Sequence, residues 1–268
     1  MTSTVDTSEP RDFDMTQLRH PREKVALTCL VIFACLLFVV VGAAKLYGDL
    51  LGIGVIFLIL GGFRYLFGRI FVAYVKVNAM ELSDRQFPEL YNIAKSFSLK
   101  FHRPLPTIYV MQDSAWNAFA MKIASKRLII LQSGAVDSLL LKGNMSQVAF
   151  VVGHELGHHY AGHLDLWQRA LVSFGSWFGL LIGLEGWHQR MCELTSDRYG
   201  QACAGNLEDS MRAVCNMAVG AHLASEVNID QAITQWNAHR SEFFVHLSSF
   251  GASHPHILCR LNELNKNR

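Results

Sequence analysis

The stretch Ser146-Gln-Val-Ala-Phe-Val-Val-Gly-His-Glu-Leu-Gly-His158 decides how the second half of this chain is organised. Apolar residues recur along it at helical spacing, and serine is a residue type that caps helix N-termini. The pattern therefore predicts a helix that begins at Ser146. Positions four apart in a helix share one face. We therefore expect His154 and His158 to lie side by side.

These two histidines and the intervening glutamate form an H-E-x-x-H motif. Two imidazoles on one helical face can bind one Zn²⁺ ion at about 2.0–2.1 Å. Glu155 lies next to the ligands, where it can take a proton from an activated water molecule. A surface helix that is merely rich in histidine is the alternative. The position of the motif inside a capped helix favours the metal site.

A zinc site of this kind needs a third protein ligand, and we expect it from a later helix. A third histidine at the spacing of some zinc proteases is excluded, because Gly162 and His163 each miss that register by one residue. Glu193 and Asp197 share a helix face. We predict that Glu193 binds the metal and that Asp197 accepts the remaining N–H of a ligating histidine. An ordinary exposed carboxylate pair is the alternative. Glu185 is a rival ligand, but the residue four positions on is not a carboxylate.

Two apolar runs predict a transmembrane helical hairpin over residues 25–75. Residues 25–44 contain no charged side chain, and such a run is long enough to cross about 30 Å of hydrocarbon. A second run, 46–63, follows a short turn and is interrupted only by Asp49. A pair of hydrophobic core helices is the alternative. It is disfavoured because adjacent runs of this length are rare in soluble domains.

Basic residues on either side of the hairpin predict its orientation. They are concentrated before the first span and after the second, whereas the turn carries Lys45 alone; the flanking residues are Arg11, Arg19, Arg22, Lys24, Arg64, Arg69 and Lys76. This bias predicts a multi-pass membrane protein with both termini in the cytoplasm. We expect residues 1–24 to be a flexible cytoplasmic tail and residues 76–268 to form a cytoplasmic domain.

The remainder of the chain predicts an α+β domain that is mostly helical. Pro88 suits the first turn of a helix. Residues 107–111 and 127–131 are short β-prone runs, and residues 117–122 lie between them. We expect these runs to form a small antiparallel sheet, followed by helices.

The amino-acid composition excludes several classes of structure and function for this chain. The chain has 268 residues, of which 51% are hydrophobic and 17% charged, with a mean hydropathy of +0.21. Disorder is excluded because it requires low hydrophobicity and high charge. The net charge of +2 argues against nucleic-acid binding. The 6 cysteines include no C-x-x-C pair, which excludes a zinc knuckle or a redox motif and predicts free thiols.

Together these motifs resemble the HtpX and CAAX-prenyl-protease type of membrane zinc endopeptidase. The resemblance extends over most of residues 76–268, and the overall size is closer to the HtpX-like proteins. Ser196 stands where the family usually has alanine. The motifs are Gln86-Phe-Pro88-Glu-Leu-Tyr91, Asn117-Ala-Phe-Ala120, His154-Glu155-Leu-Gly-His158 followed by His163, Glu193 with Asp197, and Ser253-His254-Pro255 followed by Arg260.

The resemblance implies a gluzincin-type zinc protease domain with one Zn²⁺ per chain. It implies that His254 stabilises the oxyanion of the attacked peptide carbonyl, and that Arg260 holds His254 or the substrate. It also implies that an extended substrate pairs with an edge strand. The residues at that strand would be Asn117, Ala118, Phe119 and Ala120.

The run over residues 166–184 departs from the family pattern, because HtpX itself has two membrane spans in this region. Here only 34 residues separate His158 from Glu193, too few for two spans of about 20 residues each. A single span would place Glu193 across the bilayer from the histidines. We therefore expect residues 166–184 to form a core helix or a helix that dips into the membrane surface.

The sequence thus predicts an integral-membrane zinc metalloendopeptidase that hydrolyses membrane-associated or misfolded proteins. Its expected partners are a protein or peptide substrate and the lipid bilayer, without nucleic acid, and self-association is left open. One alternative is a catalytically silent membrane zinc scaffold or regulator. Another is a prenyl-CaaX processing protease, which needs an intramembrane chamber of many helices.

Overall fold

The computed structural model describes residues 13–43, 47–112, 118–140, 143–165, 168 and 182–266. The described helices are α1 (Met15–Leu18), α2 (Pro21–Ala43), α3 (Tyr47–Asn78), α4 (Pro88–Lys100), α5 (Ser133–Leu140), α6 (Met145–Tyr160), α7 (Ile182–Ala204), α8 (Leu207–Ala224), α9 (Ile229–His239), α10 (Phe243–Ser248) and α11 (Ile257–Asn265). The strands are β1 (Met80–Glu81), β2 (Thr107–Met111), β3 (Ala118–Ile123) and β4 (Lys126–Gln132). The expectation of a mostly helical α+β chain is confirmed.

The sheet is mixed, so the prediction of an antiparallel sheet is wrong. Its strand order is β1-β2-β4-β3, with β2 and β4 parallel and the other two pairs antiparallel. A tight turn at Ala124, which has a φ of 53°, folds β3 directly back onto β4. Strand β4 then lies between β2 and β3. This leaves β3 at one edge of the described sheet, with β1 at the other edge.

Helix α6, which carries the H-E-x-x-H motif, begins one residue before the predicted cap. Asn144 has non-helical backbone angles and precedes the first helical residue, Met145. The apolar face of the helix packs in the main core with residues of the sheet, α4 and α7. Leu156, within the motif, is completely buried in this core. The motif therefore lies on a helix that is packed into the main core.

Helices α6 and α7 approach each other closely at Gly157. A Cβ atom added at Gly157 would lie 2.9 Å from the Cβ of Tyr199 and 3.1 Å from the Cα of Ser196. Real Cβ atoms are essentially never found closer than 3.0 Å to another heavy atom. The absence of a side chain at Gly157 therefore allows the contact that brings the two helices of the predicted metal site together.

Residues 13–24 differ from the flexible tail that the sequence predicts. They form α1 and the first turn of α2, and Glu23 is 1% exposed. The same face of α2 continues with Ala26, which packs against Met191 and Leu194 of α7. The local mixture of charges suggested flexibility, whereas burial against distant residues makes the segment helical. Residues 1–12 lie outside the described residues.

One membrane-span candidate is found in the part of the chain that the structure describes. It is the α3 segment Leu58–Asn78, which is long and apolar enough to cross a bilayer. The predicted hairpin of two spans stays a prediction. The prediction for residues 166–184 falls largely outside the described residues, of which Gln168 and residues 182–184 belong to that run.

Candidate metal centre

The three predicted metal ligands come together between α6 and α7. The Nε2 atoms of His154 and His158 lie 3.3 Å apart. Glu193 places Oε2 at 3.4 Å from His154 Nε2 and Oε1 at 3.4 Å from His158 Nε2. The rival ligand Glu185 instead accepts a hydrogen bond from Gln189.

The spacing of these ligand atoms fits a tetrahedral metal ion. Ligands about 2.0–2.1 Å from a tetrahedral zinc ion are about 3.3–3.4 Å from each other. The two histidine nitrogens are 3.3 Å apart, and each lies 3.4 Å from one oxygen of the Glu193 carboxylate, Oε2 for His154 and Oε1 for His158. Two imidazoles and a carboxylate are also a donor set that zinc enzymes use. The residues present therefore fit a zinc ion.

Their pKa values indicate which groups give up a proton when a metal binds. Burial lowers the pKa of His158 to about 3, so this ligand is neutral at pH 7. Burial raises the pKa of Glu193, but the adjacent histidines outweigh it and the net shift is downward. For His154, burial is outweighed by hydrogen bonds to Asp197 and Glu193, which raise its pKa to about 10. A metal ion would displace the proton from His154.

Asp197 and Arg260 form a buried ion pair behind His154. Asp197 Oδ1 lies 2.9 Å from His154 Nδ1, the acceptor position that the sequence predicts for this carboxylate. The guanidinium of Arg260 donates from Nε to Oδ2 at 2.8 Å and from Nη2 to Oδ1 at 2.6 Å. The resemblance implied that Arg260 holds His254 or the substrate, whereas the structure places it on Asp197.

Glu155 is buried beside the predicted metal ligands, and its carboxylate accepts a hydrogen bond from the backbone N–H of Ala120. Its Oε2 atom has no hydrogen-bond partner among the described residues. Burial raises the pKa of Glu155 to about 7. The carboxylate can therefore both accept and release a proton near neutral pH.

A pocket of about 210 Å³ opens beside the metal centre. Strand β3, the metal ligands, Glu155 and His254 all line it. Of the predicted substrate-binding residues, Ala118, Phe119 and Ala120 belong to β3, and Asn117 lies outside the described residues. His254 has a largely exposed side chain, and its Nε2 lies 3.6 Å from Glu193 Oε1.

Two residues that sequence reasoning left without a role also reach this centre. His163 places its Nδ1 at 3.2 Å from the Nδ1 of His158. Glu23, from the predicted flexible tail, places Oε1 at 3.6 Å from His163 Nε2. The sequence did show a histidine five residues beyond the motif, but no periodic pattern connects it to a glutamate 140 positions earlier.

Comparison with known proteins identifies the family. The model of peptidase family M48 matches residues 84–268. The chain is similar to proteins named Protease HtpX homolog, with 27% identity over 146 residues in Streptococcus mutans and 29% over 147 residues in Streptococcus thermophilus. Each alignment covers 53% of this chain and 48% of the relative.

The chain therefore aligns with about half the length of these curated relatives. No solved structure matches it significantly. The family match nevertheless covers more than half of the chain and includes the H-E-x-x-H helix, Glu193, Asp197, His254 and Arg260. The chain belongs to peptidase family M48 and is HtpX-like.

Proposed function

We propose that this protein is a membrane-anchored zinc endopeptidase that hydrolyses peptide bonds in membrane-associated or misfolded proteins. The observation that carries the proposal is the convergence of the His154 and His158 nitrogens and the Glu193 carboxylate, with Glu155 beside them in an open pocket. A zinc ion held there would lower the pKa of a bound water to about 7 and would polarise a peptide carbonyl.

Glu155 is the proposed proton carrier. Its Oε2 is unpartnered among the residues described, and its pKa of about 7 suits a group that takes a proton and later returns it. In the proposed reaction, Glu155 accepts the proton of the attacking water. It then delivers that proton to the leaving amine of the cleaved bond.

Strand β3 is the proposed docking edge for the substrate backbone. It is one of the two edge strands of the described sheet, and its Ala118–Ala120 segment lines the pocket. A peptide that adds a strand is recognised mainly through its backbone, so it must be extended or unfolded. This requirement supports misfolded proteins as the substrate class.

His254 and Arg260 take different proposed roles. The imidazole of His254 lines the pocket and would donate a hydrogen bond to the oxyanion that forms on the substrate. Arg260 would act on the metal centre through Asp197, which it holds in a bidentate ion pair. Asp197 in turn orients His154.

The apolar helices α2 and α3 are the proposed membrane anchor. On α3, Leu58, Phe67 and Ile70 are more than half exposed, as expected for side chains that face lipid. Basic residues before the first apolar run and in the second half of α3 favour a cytoplasmic position for both termini and for the peptidase domain.

The Glu155→Gln variant tests the proposed activity. Zinc content should stay at one ion per chain, while cleavage of an unfolded casein-like substrate should fall by about 10²–10⁴-fold because the proton carrier is lost. Glu185→Gln, at a glutamate outside the metal centre, is the matched control. Cleavage by Glu155→Gln at the rate of the unaltered protein would refute this role.

The unaltered protein distinguishes the other two functions. A zinc-loaded chain that cleaves no unfolded substrate would favour the silent scaffold. Faster cleavage of a farnesylated peptide than of its unmodified form would favour prenyl-protein processing.

A further inference from the structure

A second group of buried polar side chains connects the metal centre to the N-terminal helix α2. It contains His163, which follows α6, Glu23, which lies in the first turn of α2, and Cys192 and His188 on α7. All four residues are at most 9% exposed. Buried polar groups normally have hydrogen-bond partners, so unpaired atoms in such a group require an explanation.

The turn that ends α6 brings His163 back onto the metal ligand His158. Gly162 has a φ of 84°, a left-handed conformation that glycine adopts without strain. The backbone N–H of His163 then donates to the carbonyl of His158 at 3.1 Å, which is the pattern of a Schellman cap. This turn places His163 Nδ1 at 3.2 Å from His158 Nδ1.

The far side of the His163 ring faces Glu23. His163 Nε2 has no hydrogen-bond partner among the described residues, and Glu23 Oε1 is 3.6 Å from it. A shift of about 0.5 Å would bring the two atoms within hydrogen-bonding distance. The polar atoms therefore follow one another from Nδ1 of His158, on the side of that ring away from the proposed metal, through His163 to the Glu23 carboxylate on α2.

Glu23 is held in place by groups from both sides. Arg19 forms an ion pair with Glu23 Oε1, and the hydroxyl of Thr195 on α7 donates to Oε2. Thr195 also accepts a hydrogen bond of 2.9 Å from the backbone N–H of His20. Arg19 donates a further hydrogen bond to the carbonyl of Ala161, at the end of α6. These contacts tie the start of α2 to both helices that carry metal ligands.

We propose that Glu23 and His163 are positioning residues that form a hydrogen-bonded relay to the metal ligand His158. In this relay the Nδ1–H of His158 donates to Nδ1 of His163, and the Nε2–H of His163 donates to Glu23. The relay fixes the ring orientation and the tautomer of His158, so that its Nε2 lone pair points to the metal. It rests on the metal centre proposed above and makes the start of α2 a part of that centre.

The main competing interpretation is a second metal ion bound by Glu23, His163 and Cys192, whose ligand atoms lie within 4.8 Å of one another. Proton counting argues against it. When His158 binds a metal through Nε2, its Nδ1 carries the proton and donates to His163 Nδ1. A neutral His163 then carries its own proton on Nε2, which cannot bind a metal. The guanidinium of Arg19 beside Glu23 also repels a cation.

The relay is tested by zinc affinity, measured by chelator competition on the full-length chain in detergent. His163→Leu should weaken zinc binding by about 10–100-fold, because His158 loses its hydrogen-bond acceptor. His163→Gln should recover most of the affinity, since an amide can accept from His158 and donate to Glu23. Glu23→Gln, a milder change that conserves shape, should weaken binding by an intermediate factor.

His159→Leu is the matched control, because His159 is an equally buried neighbour that bonds to the Leu128 carbonyl and not to a ligand. Its zinc affinity should stay within about twofold of the unaltered chain, even if its unfolding temperature falls. Unchanged zinc affinity in both His163→Leu and Glu23→Gln would overturn the relay. So would a second zinc ion per chain that Cys192→Ser removes.

These results are separable from a failure of the proposed function. If the unaltered chain binds zinc but cleaves nothing, the relay can still be measured, and only the endopeptidase activity is refuted. If the unaltered chain binds no zinc at the three predicted ligands, both proposals fail.

Discussion

The buried ion pair of Asp197 and Arg260 serves two purposes at the scale of single residues. Asp197 orients His154, and Arg260 compensates the charge of Asp197 in a setting where both side chains are 2% exposed. Burial raises the pKa of Asp197, but the charge of Arg260 and the hydrogen bond to His154 outweigh it and keep the carboxylate ionised. Stability and the proposed metal binding should therefore depend on the same carboxylate.

Substitutions at this pair should separate the two purposes. Asp197→Leu leaves the Arg260 charge buried and unpaired, which should cost about 3–5 kcal/mol in the free energy of unfolding. The double variant Asp197→Leu/Arg260→Met should recover most of that stability but should still bind zinc about 10–100-fold more weakly, because His154 lacks its acceptor. Denaturant unfolding and chelator competition measure the two effects. Recovery of zinc affinity in the double variant would contradict the assigned role of Asp197.

His188 should make the metal-free protein less stable in acid. Burial lowers its pKa to about 4 from the ordinary value of 6.5, so the folded chain holds this ring neutral where the unfolded chain is protonated. Unfolding therefore takes up a proton between pH 6.5 and 4, and stability falls with decreasing pH across that window. The resulting decrease in the free energy of unfolding should approach about 3 kcal/mol.

The variant His188→Gln removes this contribution. Denaturant unfolding of the metal-free chains at about pH 7 and about pH 4.5 should show a smaller acid-induced loss for His188→Gln than for the unaltered protein. An equal loss in the two proteins would exclude His188 as a source of the pH dependence.

At the scale of secondary-structure elements, the contact of α6 with α7 determines whether the proposed metal ligands meet. Gly157→Ala would place a methyl group against Tyr199 and Ser196 and push the helices apart. We expect a loss of about 1–3 kcal/mol in stability and a weaker zinc affinity. Gly62→Ala on α3, where no atom lies within 4 Å of the added Cβ, is the matched control and should not destabilise the chain. Equal effects of the two substitutions would refute the close-contact argument.

Helices and strands that depend on residues close together in the sequence could be predicted from the sequence. The run 107–111 coincides with β2, and the motif helix begins within one residue of its expected start. Glu193 was predicted because it shares a helix face with Asp197, and the structure places the two carboxylates on either side of His154. In each case the spacing along one element carries the information.

Relations between distant segments were not predictable in the same way. The parallel pairing of β2 with β4 depends on which strand the β3–β4 turn places between the others. The burial of Glu23 depends on Thr195 and His163, which lie far away in the sequence. A charged segment read by itself resembles a solvated tail, because its partners are absent from its local sequence.

At the scale of the whole molecule, the start of α2 belongs with the peptidase domain. Ala26 and Leu30 are completely buried, and Ala26 packs on α7. A fragment of residues 79–268 would expose that face of α7 and lose Glu23. We expect it to be digested faster by an added protease and to bind zinc more weakly than a fragment of residues 13–268. Equal resistance and equal affinity would show that the domain is complete without α2.

The central claim is that His154, His158 and Glu193 together hold one zinc ion. Zinc K-edge X-ray absorption of the zinc-loaded, full-length protein tests it most directly. The account predicts a four-coordinate ion with two imidazole nitrogens and only nitrogen or oxygen ligands at about 2.0–2.1 Å. A sulfur ligand at about 2.3 Å would contradict it, because the ion would then lie at Cys192 and not between the two motif histidines.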